Sequence, residues 1–216
     1  MRRVAEPELM LDEEQIKAYA QADFAAPHSY FMELLCKQLD SLPQTGVALD
    51  LGCGPGDISR RFAAAFPGWR VDGVDGSAAM LAMARTMTPS DAPVQYIERL
   101  LPSAPTGRYD LIISNSLLHH LSDPAVLWST IRDWAGQHSC RVFIMDLMRP
   151  DDQATAEALV MLHAADEPAV LRHDFLYSLL AAYEAAEISE QIHRAGLALH
   201  VEVVSDRHVI AWGDVN

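Results

Sequence analysis

Apolar positions along the chain change their period repeatedly, and each change predicts a new element. Residues 12–42 follow a helical period, with Pro27 suited to a helix start and Phe31, Leu34, Leu35 and Leu39 on one face. The period then shortens to a compact apolar run over 47–51 that ends in glycines and predicts a buried strand. Ile58, Phe62 and Phe66 recur every four residues, so a helix follows, and Pro67-Gly68 stops it. Residues 71–75 predict a second strand, after which Ser77 can cap a helix carrying Met80, Leu81 and Ala84. A less marked third strand spans 94–97, and a strongly apolar fourth spans 109–114. Asp123-Pro124 opens a helix with Leu127, Thr130, Ile131 and Trp134 on one face, and 141–145 is a fifth strand.

Strands alternating with helices predict an α/β fold, a Rossmann-like doubly wound sheet whose strands are mostly parallel with right-handed crossovers. The tail breaks that rhythm. Residues 151–182 predict a helical insertion, and 184–195 a helix stopped by Gly196. Runs at 199–204 and 208–212 flank Ser205-Asp206-Arg207, which predicts a C-terminal antiparallel hairpin. The chain reads as one domain over 1–216, divided into N-terminal helices (1–45), a core (46–147), a helical lid (148–183) and a final helix with hairpin (184–216).

Charge narrows the function classes. Sixteen basic residues against thirty acidic ones leave a formal charge of −14, which argues against an electrostatic nucleic-acid binder. Residues 146–190 hold ten acids and only two bases, Arg149 and Arg172, an unfavourable field for a strongly anionic ligand under the lid and equally a solvated, solubilising surface. The three cysteines are widely spaced, no CxxC is present and no export signal is seen, which predicts a cytoplasmic protein. No apolar run reaches membrane-spanning length.

The sharpest local signal is Asp50-Leu51-Gly52-Cys53-Gly54-Pro55-Gly56-Asp57, between a strand and a helix. Glycines there let the backbone approach a ligand closely, and the helix start offers free N–H groups. The spacing is GxGxG rather than the dinucleotide GxGxxG, and Pro55 removes a donor, which counts against a nicotinamide-dependent oxidoreductase. Asp50 at the mouth would repel a pyrophosphate and suit a cationic amino-acid group. Asp75 ends the next strand, where a ribose-binding acid usually sits. The same residues also read as a tight turn with Asp75 capping the following helix.

LDLGCGPG, then VDGVDGS, then YDLIISNSLLHHLSDP resembles the class I S-adenosylmethionine-dependent methyltransferases, and within them the small-molecule group that includes ubiquinone and menaquinone methyltransferases. The likeness covers roughly residues 45–147. It implies S-adenosylmethionine as cofactor, with Asp50, Gly52, Cys53, Gly54 and Gly56 along its methionine part. It further implies Asp75 on both ribose hydroxyls beside Gly76 and Ser77, Met80 against the adenine, Asn115 near the sulfonium and Tyr19 over the cofactor. Where relatives carry Gly-Asp-Ala after the third strand, this chain has Glu98-Arg99-Leu100, so the adenine contact there is left unassigned.

The implied reaction is in-line methyl transfer to a small-molecule acceptor, and the acidic balance argues against a nucleic-acid partner. Because the cofactor is already activated, no universal catalytic residue is required. His120 is the candidate catalytic group, from its place in the LHHL-Asp pattern, and a histidine held at a strand–helix corner is the competing reading. His119, His163, His173, Phe175 and Tyr177 are candidate substrate contacts, each also readable as packing. No metal site is expected: His119-His120 lacks the i, i+4 spacing of a zinc pair, no clustered acids accompany it, and Asp146 alone does not make a magnesium site. Two other readings stay open, a methyltransferase acting on a protein or RNA side chain and a non-catalytic cofactor-binding module.

Overall fold

The computed structural model of the chain describes residues 1–6, 22, 24–39, 42–105, 107–136 and 139–216. The predicted order of elements is present. Helix α1 (Ala25–Gln38) leads into β1 (Gly46–Leu51), α2 (Asp57–Ala65), β2 (Trp69–Asp75), α3 (Ala78–Met87) and β3 (Val94–Glu98). Then come β4 (Leu111–Asn115), a 3-10 turn (Leu118–His120), α4 (Ala125–Ala135) and β5 (Cys140–Leu147). Helices α5 (Gln153–Ala164), α6 (Ala169–Ala181) and α7 (Ala185–Arg194) precede the hairpin of β6 (His200–Val203) and β7 (His208–Val215).

All seven strands form one sheet in the order β3-β2-β1-β4-β5-β7-β6. The first five pair in parallel, while β7 runs antiparallel to β5 and β6 antiparallel to β7. Central strands are covered on both faces, which is why β1, β4 and β5 read as near-continuous apolar runs. β3 lies at the sheet's edge and buries only Tyr96 fully, which explains its fainter sequence signal.

Side-chain alternation divides the core into two layers. Leu49, Leu51, Ile112, Val142 and Ile144 pack with Trp128, Ile131 and Trp134 of α4 and Ile188 and Ile192 of α7. Ala48, Val71, Leu111, Ile113, Phe143 and Met145 face α1 and α2 through Phe31, Leu34, Leu35, Ile58 and Phe62. Phe31 meets Phe143 edge to face at 5.1 Å, and Phe62 meets Trp69 the same way at 5.6 Å.

The predicted stop and start signals act as expected. Ser77 Oγ accepts the Met80 N–H at 3.3 Å, and Asp123 Oδ1 accepts the Ala125 N–H at 2.9 Å. Gly196 takes φ +72° and closes α7, with the Leu197 N–H bonded to Ile192 O. The insertion is a pair of helices, α5 and α6, packed around Leu159, Val160 and Leu179. The expected N-terminal helices reduce to α1 within the described residues; residues 7–21, including the candidate Tyr19, lie outside them.

Candidate functional site

Strand order reverses between β1 and β4, so loops at their carboxyl ends diverge and leave a crevice. A cavity of about 350 Å³ occupies it. One wall is the glycine loop after β1, a second is Asp75, Gly76 and Ser77 after β2, and a third runs from Asn115 to Leu117 after β4, with His120 and Leu121 beyond. Arg99, Leu100 and Leu101 close the side beyond β3, and His28 with Asp57 closes the side toward α1.

The loop is shaped by what its glycines avoid. Gly54, at φ +51°, would carry a Cβ with nothing within 4 Å, so its missing side chain leaves the cavity open to a ligand. Gly56, at φ +78°, would place a Cβ 2.2 Å from the Tyr96 hydroxyl, so only glycine fits there. The Gly52 and Cys53 N–H groups both reach Val74 O, at 2.8 and 3.1 Å, and fold the loop over the end of β2.

Asp75 fastens that fold. Its Oδ2 accepts the Gly54 N–H at 2.9 Å and its Oδ1 accepts the Ser77 N–H at 2.7 Å. Burial pushes its carboxyl up, against the backbone N–H bonds that favour the charged form. The helix-capping alternative is therefore partly realised, but through backbone bonds to both loops; Ser77 itself caps α3. With the Gly54, Gly76 and Ser77 N–H groups on it, the carboxylate still has acceptor capacity for a ligand hydroxyl.

Asp50 shares the α2-facing side of β1 with Ala48 and is almost wholly buried, bonded to Ser59 Oγ at 2.5 Å. Burial pushes its carboxyl up to about 7, with the Asp75 charge adding to the rise and the Ser59 hydroxyl opposing it. Across the cavity, Asn115 Oδ1 is buried without a hydrogen-bond partner. Next to it Ser116 holds φ +57°, an uncommon conformation for a residue with a side chain, with its N–H on Met145 O. A buried unpaired amide oxygen, an uncovered glycine backbone and a carboxylate with spare acceptor capacity suit a polar ligand threaded across the crevice.

The histidine pair splits. His120 lines the cavity, and its Nδ1 lies 3.1 Å from Glu6 Oε1. His119 is buried behind it, its Nδ1 2.5 Å from Asp146 Oδ1 and its Nε2 3.5 Å from Glu6 Oε1. Burial disfavours the charged His119 ring, but Asp146 outweighs it and holds its pKa above the usual histidine value. Burial likewise pushes the Glu6 carboxyl up. The expectation that no clustered acids accompany the histidines is therefore corrected: the chain's first residues and β5 bring Glu6 and Asp146 to them.

Four expected substrate contacts are not at the cavity. His163 bonds Asp206 and Arg207 at the hairpin turn, each at 2.7 Å. His173 and Tyr177 are exposed and stack on each other at 4.4 Å. Phe175 packs into the apolar contact between α5 and α6. These helices bury their apolar stripe against each other, so none of the four reaches the crevice. His119 is separated from it by its own burial.

Several wall residues carried no motif. His28, on the inner face of α1, places Nδ1 2.6 Å from Asp57 Oδ2. Burial opposes a charged Asp57, yet His28 and Arg61 hold its carboxyl well below the usual range. Leu100 and Leu101 supply apolar surface where the sequence left the contact unassigned. Only their position after a strand end marked them.

Residues 49–138 match the methyltransferase domain family, the span from β1 through α4 that builds this cavity. Over that span the chain is similar to methyltransferase domains. A curated relative, malonyl-[acyl-carrier protein] O-methyltransferase of Halalkalibacterium halodurans, is 32% identical over 112 residues, 50% of this chain and 41% of that protein. Trans-aconitate 2-methyltransferase of Escherichia coli is 30% identical over 146 residues, 67% of this chain and 54% of that protein. The chain thus spans about half or less of the length of these relatives. Among solved structures, a plantazolicin methyltransferase in complex with a desmethyl analogue and SAH aligns with TM-score 0.71 at 12% identity, over 94% of this chain and 90% of that one. A SAM-dependent methyltransferase from Aquifex aeolicus aligns with TM-score 0.68 at 15% identity, over 96% and 100%. These two establish the fold.

Proposed function

We propose that the protein transfers a methyl group from S-adenosylmethionine to a small-molecule acceptor by in-line displacement. The observation that carries the reading is one continuous cavity joining the glycine loop and Asp75 to the Asn115–Leu121 segment. When bound, the cofactor supplies a sulfonium-activated methyl group. The chain's own residues then need to hold, align and exclude water. Asp75 would accept from the ribose hydroxyls, Met80, Leu100 and Leu101 would pack the adenine, and Gly52, Cys53, Gly54 and Gly56 would lie along the methionine part. Asp50 would face its ammonium group, and Asn115 would meet the polar end near the sulfonium.

His120 is the acceptor-side residue of this reading, because it stands on the cavity wall beyond β4. The relatives named for malonyl-[acyl-carrier protein] and trans-aconitate support a small-molecule acceptor rather than a nucleic acid. The chain's charge of −14 points the same way. Three free cysteines fit a cytoplasmic enzyme, and among the described residues no helix is long and apolar enough to cross a membrane.

Calorimetry tests the reading: SAH binds with a single saturable isotherm and NADH does not. In an acceptor screen, His120→Ala lowers turnover more than it lowers SAH affinity. NADH binding without SAH binding overturns the proposal, and wild-type turnover by His120→Ala removes its acceptor-side role.

A further inference from the structure

The histidine pair belongs to a cluster that methyl transfer does not use in full. Asp146, in β5, accepts the Leu118 and Leu147 N–H groups, each at 2.7 Å, and lies 2.5 Å from His119 Nδ1. His119 Nε2 faces Glu6 Oε1 at 3.5 Å, longer than the 2.7–2.9 Å of a charge-assisted hydrogen bond. It fits a different geometry. Zinc bonds of about 2.0–2.1 Å place neighbouring ligand atoms of a tetrahedron about 3.3 Å apart. The two distances to Glu6 Oε1, 3.5 Å from His119 and 3.1 Å from His120, bracket that edge.

Charge points the same way. Asp174 of α6 acts electrostatically on Glu6, and its Oδ2 is buried without a hydrogen-bond partner. Among the described residues, the carboxylates of Glu6, Asp146 and Asp174 gather around the histidines with the Arg3 guanidinium, which bonds the carbonyls of His119 and Leu121 at 2.8 and 3.1 Å. A carboxylate on the far nitrogen of a ligating histidine is the usual outer support of such a site.

We propose that Glu6, His119 and His120 form a site for a divalent transition metal of the zinc class, with Asp146 orienting His119 from behind. Two imidazoles and one carboxylate suit zinc or cobalt over magnesium or calcium, which prefer oxygen alone. The metal would tie the chain's first six residues to the turn after β4 and reach the cavity wall through His120. The site shares His120 with the acceptor side of the proposed function, while none of its carboxylates holds the glycine loop.

The full chain, stripped with a chelator, is titrated with Co²⁺ under visible absorption and with Zn²⁺ by calorimetry. The expected result is one ion per chain, with the ligand-field bands of a low-coordinate nitrogen–oxygen site. Glu6→Gln and His120→Ala weaken Zn²⁺ binding by at least about tenfold, while the exposed His200→Ala does not. Thermal melting of each metal-free variant checks that it is folded, and Glu6→Gln keeps the shape of the side chain it replaces. Absence of the Co²⁺ bands, or equal Zn²⁺ affinity in wild type and folded Glu6→Gln, overturns the proposal. SAH calorimetry on the same samples separates it from the functional reading: SAH binding without metal binding sinks the metal site alone, and the reverse sinks the cofactor site alone.

Discussion

Asp75→Ala is the most informative single perturbation, because the carboxylate has two duties that can be measured separately. Its oxygens already accept the Gly54 and Ser77 N–H groups at 2.9 and 2.7 Å, and the proposed ribose contact uses the remaining lone pairs. A hydrogen bond to a charged group is worth about 1.5–3 kcal/mol. Losing the two backbone bonds frees two N–H groups at the cavity rim, where water can reach them, so apo stability should fall by about 1–3 kcal/mol. Helix α3 survives, since its cap is Ser77 Oγ on the Met80 N–H. Cofactor binding loses two hydroxyl contacts and the preorganised loop. Part of that loss is recovered as the loop relaxes, leaving about 1.5–3 kcal/mol, or roughly 10–150-fold in Kd. Urea unfolding of the apo protein reads the first quantity and SAH calorimetry the second. A folded variant that binds SAH within about twofold of wild type would place the ribose elsewhere and refute the reasoning.

Two pH effects follow from buried groups outside that contact. Asp50, held at about 7 by burial, is largely neutral below that pH and charged above it. A cationic methionine group favours the charged form, so SAH affinity rises as pH increases through about 7, and Asp50→Asn flattens that slope in calorimetry at about pH 6 and about pH 8. His208, at the start of β7, is pushed down to about 4 by burial, with the Arg207 charge adding to the fall. Because the folded pKa lies below the unfolded value, the neutral ring's stabilisation is complete above about 6.5 and is lost as pH falls toward 4, a change on the order of 3 kcal/mol. Urea unfolding at about pH 7 and about pH 4.5 should show a steeper loss for wild type than for His208→Asn; parallel losses would remove His208 from the account.

The sequence by itself determined everything that depends on neighbours along the chain. Apolar period set the strands and helices, since burial on one face or two imposes the spacing directly. Gly54, Gly56 and Asp75 were legible because a tight loop between strand and helix needs left-handed backbone and a nearby acceptor, and both needs are local. Ser77, Asp123 and Gly196 were legible for the same reason. Tertiary structure alone decided which distant groups meet. Glu6 reaches His119 and His120 only because Arg3 fastens the first residues to the 3-10 turn and Val4 bonds Leu180 of α6. No spacing records that contact, so the histidines looked unaccompanied. The helical insertion shows the converse: His163, His173, Phe175 and Tyr177 suggested a substrate wall by composition, yet α5 and α6 satisfy their apolar faces on each other and keep those side chains away from the crevice. Asp50 illustrates the last limit, because its place at the loop mouth was readable but the upward push on its carboxyl was not. That depends on how completely α2 covers it, a property of packing that no one-dimensional pattern carries.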